Sequence, residues 1–380
     1  MKICYCTTIS LTLKAFILEC AKFLHEEKGW DISFICSEDE VFANSLPDYI
    51  HYYPVKMRRG INLDGVRAIY EINKICRREK YDIVQYSTPN ASLYASIAAT
   101  MAGIKTRLYC QWGMVYVGFD GFRRKLFRAV ERFVCGLSTF VEPDSLSNLK
   151  FAREEGLYPE EKSGVIWNGS ACGVNLEKFD ISKKTGYREA VRAEYNIPPE
   201  AFVFGFVGRI TRDKGINELL DAFKRIRENR DDVYLMLVGP AEPDATADEN
   251  LIEWAKRDKN VLFTGFSPRV EQMLSAMDTY ILPSYREGFG MGIVEAEAMG
   301  VPVIATDIPG PRDAMIPEIT GKLIPKGDTA ALFDAMQEML DKPDNYGENG
   351  IAFARERFDQ KQFFEYIVED RERLVAVYRK

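Results

Sequence analysis

A run of glycines and cations follows an apolar segment in the second half of the chain. Residues 202–207 are apolar, Gly208 and Arg209 come directly after them, and Lys214 lies five residues beyond Arg209. Backbone N–H groups at such a turn into a helix favour an anion. Arg209 and Lys214 would add two positive charges beside it, which suits a diphosphate better than a monoanion. The alternative is a basic loop that only faces solvent, and this motif alone does not decide between the two.

A second glycine-rich segment spans residues 283–300. Gly288, Gly290 and Gly292 alternate with larger residues, and a predicted helix then runs to Gly300. Alternating glycines let a ligand approach the backbone closely. The amides at the start of the helix can hold phosphate or sugar oxygens.

Two glutamates flank the start of this helix. Glu287 precedes it, and Glu295 lies just over one turn inside it. Glu295 and Glu297 are about 200° apart on a helix with 3.6 residues per turn, so only one of them can face a ligand. Carboxylates accept hydrogen bonds from vicinal hydroxyls, so Glu287 and Glu295 suit the transferred sugar and the ribose of a nucleotide sugar. The alternative is that Glu287 caps the helix electrostatically and Glu295 lies on a solvated face.

Length and composition indicate a globular protein of two domains. The 380 residues exceed what one hydrophobic core usually serves. The hydrophobic share of 46% and the charged share of 28% are ordinary for globular proteins, and no apolar run has the length of a spanning helix. Because the N-terminus lacks a charged leader and a cleavage site, we expect a cytoplasmic protein. The net charge of -7 disfavours binding to nucleic acid.

Histidine, cysteine and aspartate usage argues against several kinds of chemistry. The chain has 2 histidines, His25 and His51, which leaves little for histidine-based catalysis or a metal site. The 8 cysteines lack the spacing of metal or redox motifs, and we interpret them as buried thiols rather than disulfides. No Asp-x-Asp triplet occurs, so a metal that bridges a diphosphate is not required. We therefore expect no metal and no other cofactor.

The segments that position these motifs alternate between predicted strands and predicted helices. This rhythm predicts a parallel sheet covered on both faces, and its restart near residue 202 predicts two Rossmann-like domains. We place the first domain at 1–180 and the second at 181–359, and we expect a helix at about 360–380 to pack back on the first. The predicted strands are 2–9, 32–36, 83–86, 106–110, 139–142, 202–207, 234–238, 261–263, 279–282 and 302–305, and the helices of the first half are 11–27, 65–78, 92–101 and 122–134.

The two glycine-rich motifs together are similar to those of a known family. The relevant residues are Gly208-Arg209, Lys214-Gly215, Glu287-Gly288-Phe289-Gly290 and a second glutamate, Glu295, after seven intervening residues. This pattern resembles the retaining glycosyltransferases of family 4, which have the GT-B fold, and the similarity extends from about 202 to 323. Residues 168–179 also resemble the segment leading into this domain in capsule and O-antigen type members. The resemblance implies an α/β architecture in which two Rossmann-like domains face each other across a cleft.

The resemblance also implies a role for each residue of the two motifs. Arg209 and Lys214 would bind the donor diphosphate and stabilise it as a leaving group, Glu287 would bind the hydroxyls of the transferred sugar, and Glu295 the ribose. Catalysis would therefore rest on Glu287, Arg209 and Lys214. The implied donor-binding set is Gly208, Arg209, Lys214, Glu287, Gly288, Phe289, Gly290 and Glu295.

The family resemblance implies substrates and a course of reaction as well. The donor would be a nucleotide-diphosphate sugar, with UDP the commonest nucleotide. The acceptor would be a glycan or lipid-linked glycan in surface polysaccharide assembly. Retention without an evident nucleophile suggests front-face attack, in which the donor phosphate takes the acceptor proton. The acceptor would be held by the first domain.

The first domain departs from the family pattern. Many relatives have glycines after the first strand, whereas residues 7–14 read TTISLTLK and include Ser10. Trp112, followed by Gly113, stands where many relatives have a histidine. Trp112 could stack on a sugar ring or fill the core, and a lone aromatic residue more often does the latter. Ser10, Trp112 and Gly113 are the candidates on the acceptor side.

The segment 122–133 combines cations with apolar residues at helical spacing. Because relatives often act on lipid-linked sugars at the inner leaflet, such a helix could rest on anionic headgroups, and the protein could be peripheral to the cytoplasmic membrane face. The alternative is a helix that covers the sheet and exposes a basic face to solvent.

Other functions are also compatible with parts of the sequence. A nucleotide-sugar epimerase can share the architecture and the way of binding the nucleotide sugar, but its active site would normally contain more histidines and acid–base carboxylates. A non-catalytic nucleotide-sugar binding protein would bind the donor without transfer or slow hydrolysis. A dehydrogenase is disfavoured because no Gly-x-Gly-x-x-Gly follows the first strand.

Overall fold

The computed structural model describes residues 1–57, 63–241, 247–341 and 345–379, and the chain divides into two units. The first unit comprises Met1–Cys172 and Lys361–Lys380, and the second comprises Gly173–Gln360. Residues 173–180, which we expected in the first domain, lie in the second unit. The reason is backbone pairing, because the Val174 N–H donates to the Phe358 carbonyl at 2.6 Å and the Gln360 N–H donates to the Val174 carbonyl at 3.0 Å. None of the helices in the described ranges is long and apolar enough to cross a membrane.

The first unit is built on a parallel sheet of six strands. These strands are β1 (Lys2–Cys6), β2 (Asp31–Cys36), β3 (Ile50–Pro54), β4 (Ile83–Tyr86), β5 (Thr106–Gln111) and β6 (Phe140–Pro143). Their spatial order is β3-β2-β1-β4-β5-β6. β1, β2, β4 and β5 are almost fully buried, as expected for parallel strands covered on both faces.

In the described part of the first unit, seven helices precede its link to the second. They are α1 (Ser10–Phe16), α2 (Leu18–Glu26), α3 (Glu40–Ser45), α4 (Leu63–Glu79), α5 (Pro89–Met101), α6 (Gly121–Leu137) and α7 (Leu146–Glu154). The single helix expected at 11–27 is therefore divided at Ile17, whose φ of -121° departs from helical geometry. All 8 cysteines are free, and seven of them are buried, which confirms their interpretation as buried thiols.

The second unit repeats the architecture with another sheet of six parallel strands. Its strands are β7 (Phe202–Val207), β8 (Val233–Val238), β9 (Val261–Gly265), β10 (Thr279–Leu282), β11 (Val303–Thr306) and β12 (Gly321–Ile324). Their order is β12-β11-β10-β7-β8-β9. Two six-stranded parallel sheets confirm the prediction of two Rossmann-like domains.

The remaining helices of the described ranges pack on the second sheet or on the helices that cover it, except the last one. They are α8 (Lys184–Glu194), α9 (Ile216–Arg227), α10 (Glu249–Arg257), α11 (Val270–Ala276), α12 (Met291–Ala298), α13 (Thr329–Asp341), α14 (Tyr346–Phe358) and α15 (Gln360–Tyr378). From Lys361 onward α15 belongs to the first unit, where Phe363, Ile367 and Leu374 join its core.

Each sheet contains one point where the strand order reverses. In the first sheet β1 lies between β2 and β4, and in the second β7 lies between β8 and β10. The loops after the two central strands diverge at such a point, and open parallel sheets bind ligands in the crevice that results. In the second unit these loops are residues 208–215 and 283–290, which are the two motifs singled out in the sequence.

Candidate active site

The loops at the second reversal point meet backbone to backbone because glycines leave room for it. Gly215 has a φ of 73°, and a Cβ at this position would lie 2.0 Å from the Pro283 carbonyl oxygen. A Cβ on Gly239, after β8, would lie 1.9 Å from the carbonyl oxygen of Gly208. A larger residue at either position would push the loops apart, so these glycines set the dimensions of the site.

Lys214 and Glu287, which come from the two separate motifs, form an ion pair. The Lys214 Nζ donates to Glu287 Oε1 at 2.6 Å, although the residues are 73 positions apart in the chain. Both side chains are largely buried, with 21% and 13% of their surfaces exposed. The structure therefore joins a cation suited to phosphate and a carboxylate suited to sugar hydroxyls at one point.

Asp213, which neither sequence motif singled out, is the second carboxylate of the site. Its Oδ2 lies 3.0 Å from Arg286 Nη2 and 3.7 Å from Arg209 Nη2, and its Oδ1 accepts a hydrogen bond from the Thr211 hydroxyl at 2.6 Å. Burial raises the pKa of Asp213, but the Thr211 hydrogen bond and the charges of Arg286, Arg209 and Lys214 together lower it below its ordinary value. Asp213 is therefore a stable anion between two arginines.

Tyr285 links the loops 208–215 and 283–290 to each other and to α9 through hydrogen bonds. Its N–H donates to the Asp213 carbonyl at 2.9 Å, and its hydroxyl donates to Glu218 Oε1 at 2.8 Å. The segment 285–287 is thus held at three successive residues by 213–218. Such fixed loops keep charged groups in place before a ligand arrives.

The glycine-rich loop leads into α12 through a left-handed residue. Gly290 has a φ of 92° and directly precedes the helix. Phe289 is buried, and its ring packs against Phe358 with centroids 5.2 Å apart. The side chain of Phe289 is thus part of the core. Of this residue, only the backbone amide could contact a ligand, as predicted for Gly288, Phe289 and Gly290.

The two glutamates of α12 differ in burial, as their angular separation requires. Glu297 is completely buried, and burial raises its pKa well above the ordinary value, whereas Glu295 is partly exposed. Burial also raises the pKa of Glu295 to about 7, with Glu271 adding to the shift and Lys178 opposing it. Burial raises the pKa of Tyr280, and the charges of Glu287 and Glu295 both add to that shift. Burial thus favours Glu295, not Glu297, for contact with a ligand.

The acceptor-side candidates lie at the carboxyl ends of the strands of the first sheet. Ser10 begins α1, and its hydroxyl donates to Asp39 Oδ2 at 2.5 Å. Trp112 follows β5, is partly buried, and packs against Phe16 with ring centroids 5.5 Å apart. Gly113 has a φ of 98°, which suits glycine. Ser10 is thus engaged within the protein, and Trp112 is partly core and partly accessible.

The arrangement in the second unit can bind an anion and a sugar side by side. Arg209, Lys214 and Arg286 supply positive charge, and Glu287 supplies a hydrogen-bond acceptor next to Lys214. Within the described ranges, no group of three His, Cys, Asp or Glu side chains is placed to hold a metal. Fold and site together are those of an α/β protein of two Rossmann-like units, whose second unit places three cations beside two carboxylates at the carboxyl ends of its central strands.

Comparison with known proteins gives this class a family. The profile "Glycosyl transferase 4-like" matches residues 2–141, and the profile "Glycosyl transferases group 1" matches residues 187–357. The chain is 30% identical over 309 residues to the O-antigen biosynthesis glycosyltransferase WclY of Escherichia coli. The aligned part makes up 77% of this chain and 76% of that protein. The chain belongs to the family 4 glycosyltransferases of GT-B fold, and it is a glycosyltransferase.

Two further relatives and a solved structure match over most of their lengths. The capsular polysaccharide biosynthesis glycosyltransferase CapM of Staphylococcus aureus is 27% identical, covering 93% of this chain and 92% of that one. The UDP-Gal:alpha-D-GlcNAc-diphosphoundecaprenol alpha-1,3-galactosyltransferase of Escherichia coli is 26% identical, covering 82% and 80%. The structure of Anabaena Alr3699/HepE in complex with UDP and glucose superposes with a TM-score of 0.78 at 20% identity, covering 97% and 99%, which supports the GT-B fold.

Proposed function

We propose that this protein is a retaining glycosyltransferase that transfers a sugar from a UDP-sugar to a lipid-linked glycan during assembly of a surface polysaccharide. The observation that carries the proposal is the Lys214–Glu287 pair beside Arg209, where a cation for phosphate meets a carboxylate for sugar hydroxyls. The named relatives act in capsule and O-antigen synthesis, and one of them uses UDP-Gal and a diphosphoundecaprenol acceptor. These names support the choice of donor and acceptor class.

The proposed reaction exchanges one bond at the anomeric carbon of the donor sugar. The acceptor hydroxyl oxygen forms a bond to that carbon, and the bond from the carbon to the diphosphate oxygen breaks. The diphosphate leaves with the electron pair, where Arg209 and Lys214 would stabilise its charge, and it takes the acceptor proton. Glu287 would orient the sugar through its hydroxyls, so that attack occurs on the face from which the diphosphate departs.

The test of this function is a panel of intact donors. Thermal stabilisation and slow release of the sugar are measured with UDP-, GDP- and ADP-sugars, first alone and then with lipid-linked saccharide acceptors. Selective stabilisation by UDP-sugars together with sugar release or transfer supports the proposal. Preference for GDP or ADP would correct the base, inversion at the anomeric carbon in the product would overturn the retaining course, and lack of binding would overturn the site.

The affinity for the donor should depend on the ionisation of Glu295. Its pKa is raised to about 7, and only the carboxylate can accept hydrogen bonds from both ribose hydroxyls. The affinity should therefore be highest above pH 7 and fall about tenfold between pH 8 and pH 6, because the protonated form must first lose its proton. The measurement is the dissociation constant across this range, with an intact nucleotide sugar whose doubly esterified diphosphate does not titrate there.

The matched variant for this prediction is Glu295→Gln, which keeps the shape and removes the titration. Its donor affinity should be weaker than that of the wild type at pH 8 and independent of pH from 6 to 8. A pH profile shared by both proteins would assign the titration to another group.

We also propose that α6 contacts an anionic membrane surface, in agreement with a lipid-linked acceptor. One side of this helix is held by the protein, since Val134 and Cys135 are buried and Glu155 pairs with Arg124 and Arg128. The opposite side is exposed, up to 78% at Phe122. We call this side the outer face of α6, and it consists of Phe122, Arg123, Lys125, Leu126, Arg132 and Phe133.

The outer face of α6 has the composition of an interfacial helix, with apolar side chains at helical spacing and cations on both sides of them. Each cation near an anionic bilayer contributes about 1 kcal/mol to binding. Reversing Arg123, Lys125 and Arg132 to glutamate should therefore abolish sedimentation with phosphatidylglycerol vesicles. A variant with the exposed Lys74, Lys150 and Lys259 reversed has the same net charge and should still sediment. Equal loss in both variants would contradict a role of this face.

A further inference from the structure

The candidate site contains a cation, Arg286, that is not among the residues of the family motif. Asp213 lies between two arginines, and Glu287 neutralises Lys214. Arg209 and Lys214 alone would thus be balanced by the two carboxylates, although the diphosphate of a nucleotide sugar is a dianion. Arg286 adds a third cation to this group, and an added positive charge favours an anionic ligand.

Arg286 is placed where it can meet the same ligand as the other two cations. It directly precedes Glu287, and its Nη2 lies 3.0 Å from the Asp213 carboxylate, which also lies next to Arg209. The Tyr285 N–H bond to the Asp213 carbonyl fixes the backbone on its N-terminal side. The guanidinium has further N–H donors beyond the one directed at Asp213, and a planar guanidinium suits phosphate oxygens.

We propose that Arg286 is a third donor-binding cation, which Asp213 holds in place and which contacts the donor diphosphate when it binds. This inference rests on the proposed donor site in the second unit, since it names a further residue of that site. Asp213 acts here as a positioning residue, because its carboxylate holds one N–H of the guanidinium while the other N–H groups can meet phosphate oxygens.

The test compares Arg286→Gln, Arg286→Lys and a matched control in the binding of UDP, GDP and ADP by calorimetry. The control is Arg230→Gln, because Arg230 is similarly exposed, 38% against 35%, and pairs with Asp232 at 2.7 Å just before β8, at the other end of the same sheet. Affinity for the preferred diphosphate should fall roughly tenfold or more in Arg286→Gln, since it loses a charge-assisted contact, and less in Arg286→Lys. Arg230→Gln should bind like the wild type.

The dependence on salt separates a direct contact from a merely structural role. In the wild type, affinity should fall steeply with added NaCl, and in Arg286→Gln the fall should be shallower, because one cation fewer is screened. Unchanged affinity and salt dependence in Arg286→Gln, with a wild type that binds, would overturn the role of Arg286 alone. A wild type that binds none of the three diphosphates would overturn the proposed donor site itself.

Discussion

Replacing Lys214 with alanine is expected to slow sugar transfer by roughly 10²–10³-fold, the range found when one preorganised electrostatic donor is removed from an active site. The Lys214 ammonium lies 2.6 Å from Glu287 and is largely buried, so no solvent cation can take its place without loss of geometry. Two effects combine in the variant. The leaving diphosphate loses a positive charge, and Glu287 loses the partner that fixes its carboxylate.

The measurement is the steady-state rate with the preferred donor of the panel, together with the melting temperature. The matched control is Lys322→Ala in β12, because Lys322 is also mostly buried, at 16% exposed, and pairs with Glu318 at 3.3 Å. Both variants lose one paired lysine of the second unit, yet only Lys214→Ala should lose activity. A rate within tenfold of the wild type for Lys214→Ala, or equal losses in both variants, would contradict a catalytic role.

Much of the sheet architecture could be predicted because buried parallel strands have a simple signature. β4, β7 and β10 were predicted with the bounds that the structure has, and they are apolar runs covered on both faces. The edge strands β3 and β12 were not predicted. In β3 only Ile50 is buried, and β12 begins with Gly321 and the ion-paired Lys322, so neither has a continuous apolar run.

The candidate site could be predicted only as far as local motifs reach. Lys214 and Glu287 each lie in a glycine-rich turn after a strand, and that context selects them from the other charged residues of the chain. Asp213 and Arg286 lie in the same turns, but their significance depends on an ion pair between residues 73 positions apart. Only the spacing of four residues between Arg209 and Asp213 hinted at a contact, and such spacing is common on any surface.

The division of the first predicted helix shows another limit of sequence patterns. Residues 11–27 have continuous helical periodicity, but α1 ends at Phe16 and α2 begins at Leu18. Phe16 packs on Trp112, and Ile17 is buried in the core of the first sheet. Tertiary contacts of this kind decide where a helix bends, and they are invisible in the periodicity of the helix itself.

The largest effect on stability is expected from Arg371, a residue of α15 that is buried in the first unit. Its Nη2 donates to Glu142 Oε1 at 2.9 Å, its Nη1 donates to Glu142 Oε2, and its Nε donates to Gln85 Oε1 at 3.3 Å. Only 1% of the Arg371 surface is exposed, and Glu142 is buried as well. Removing one partner of such a pair costs about 3–5 kcal/mol, because the other charge is left in a dry interior.

Arg371→Met should therefore lower the free energy of unfolding by about that amount near neutral pH. The loss should shrink as the pH falls. Burial already raises the pKa of Glu142, with Arg371 opposing the shift, so in the variant the folded protein should hold a proton on Glu142 to a higher pH than the unfolded chain does. Stability then declines as the pH rises from the unfolded pKa toward the folded one, and it is regained on acidification. Denaturant unfolding at several pH values measures this.

Two comparison variants distinguish a buried ion pair from simple loss of packing. The double variant Arg371→Met with Glu142→Leu should recover most of the stability, because the buried charge left by either single change is gone and the volume is nearly kept. Asp370, which also pairs with Arg371, keeps its pair with Arg373. Arg379→Ala removes the pair that the exposed residue after α15 forms with Asp82 at 2.8 Å, and it should cost about 1 kcal/mol at most. If Arg371→Met cost no more than Arg379→Ala, α15 would be held to the first sheet by its apolar side chains alone. A large and pH-dependent loss of stability would instead mean that the Arg371–Glu142 ion pair is needed to hold α15 against the first sheet.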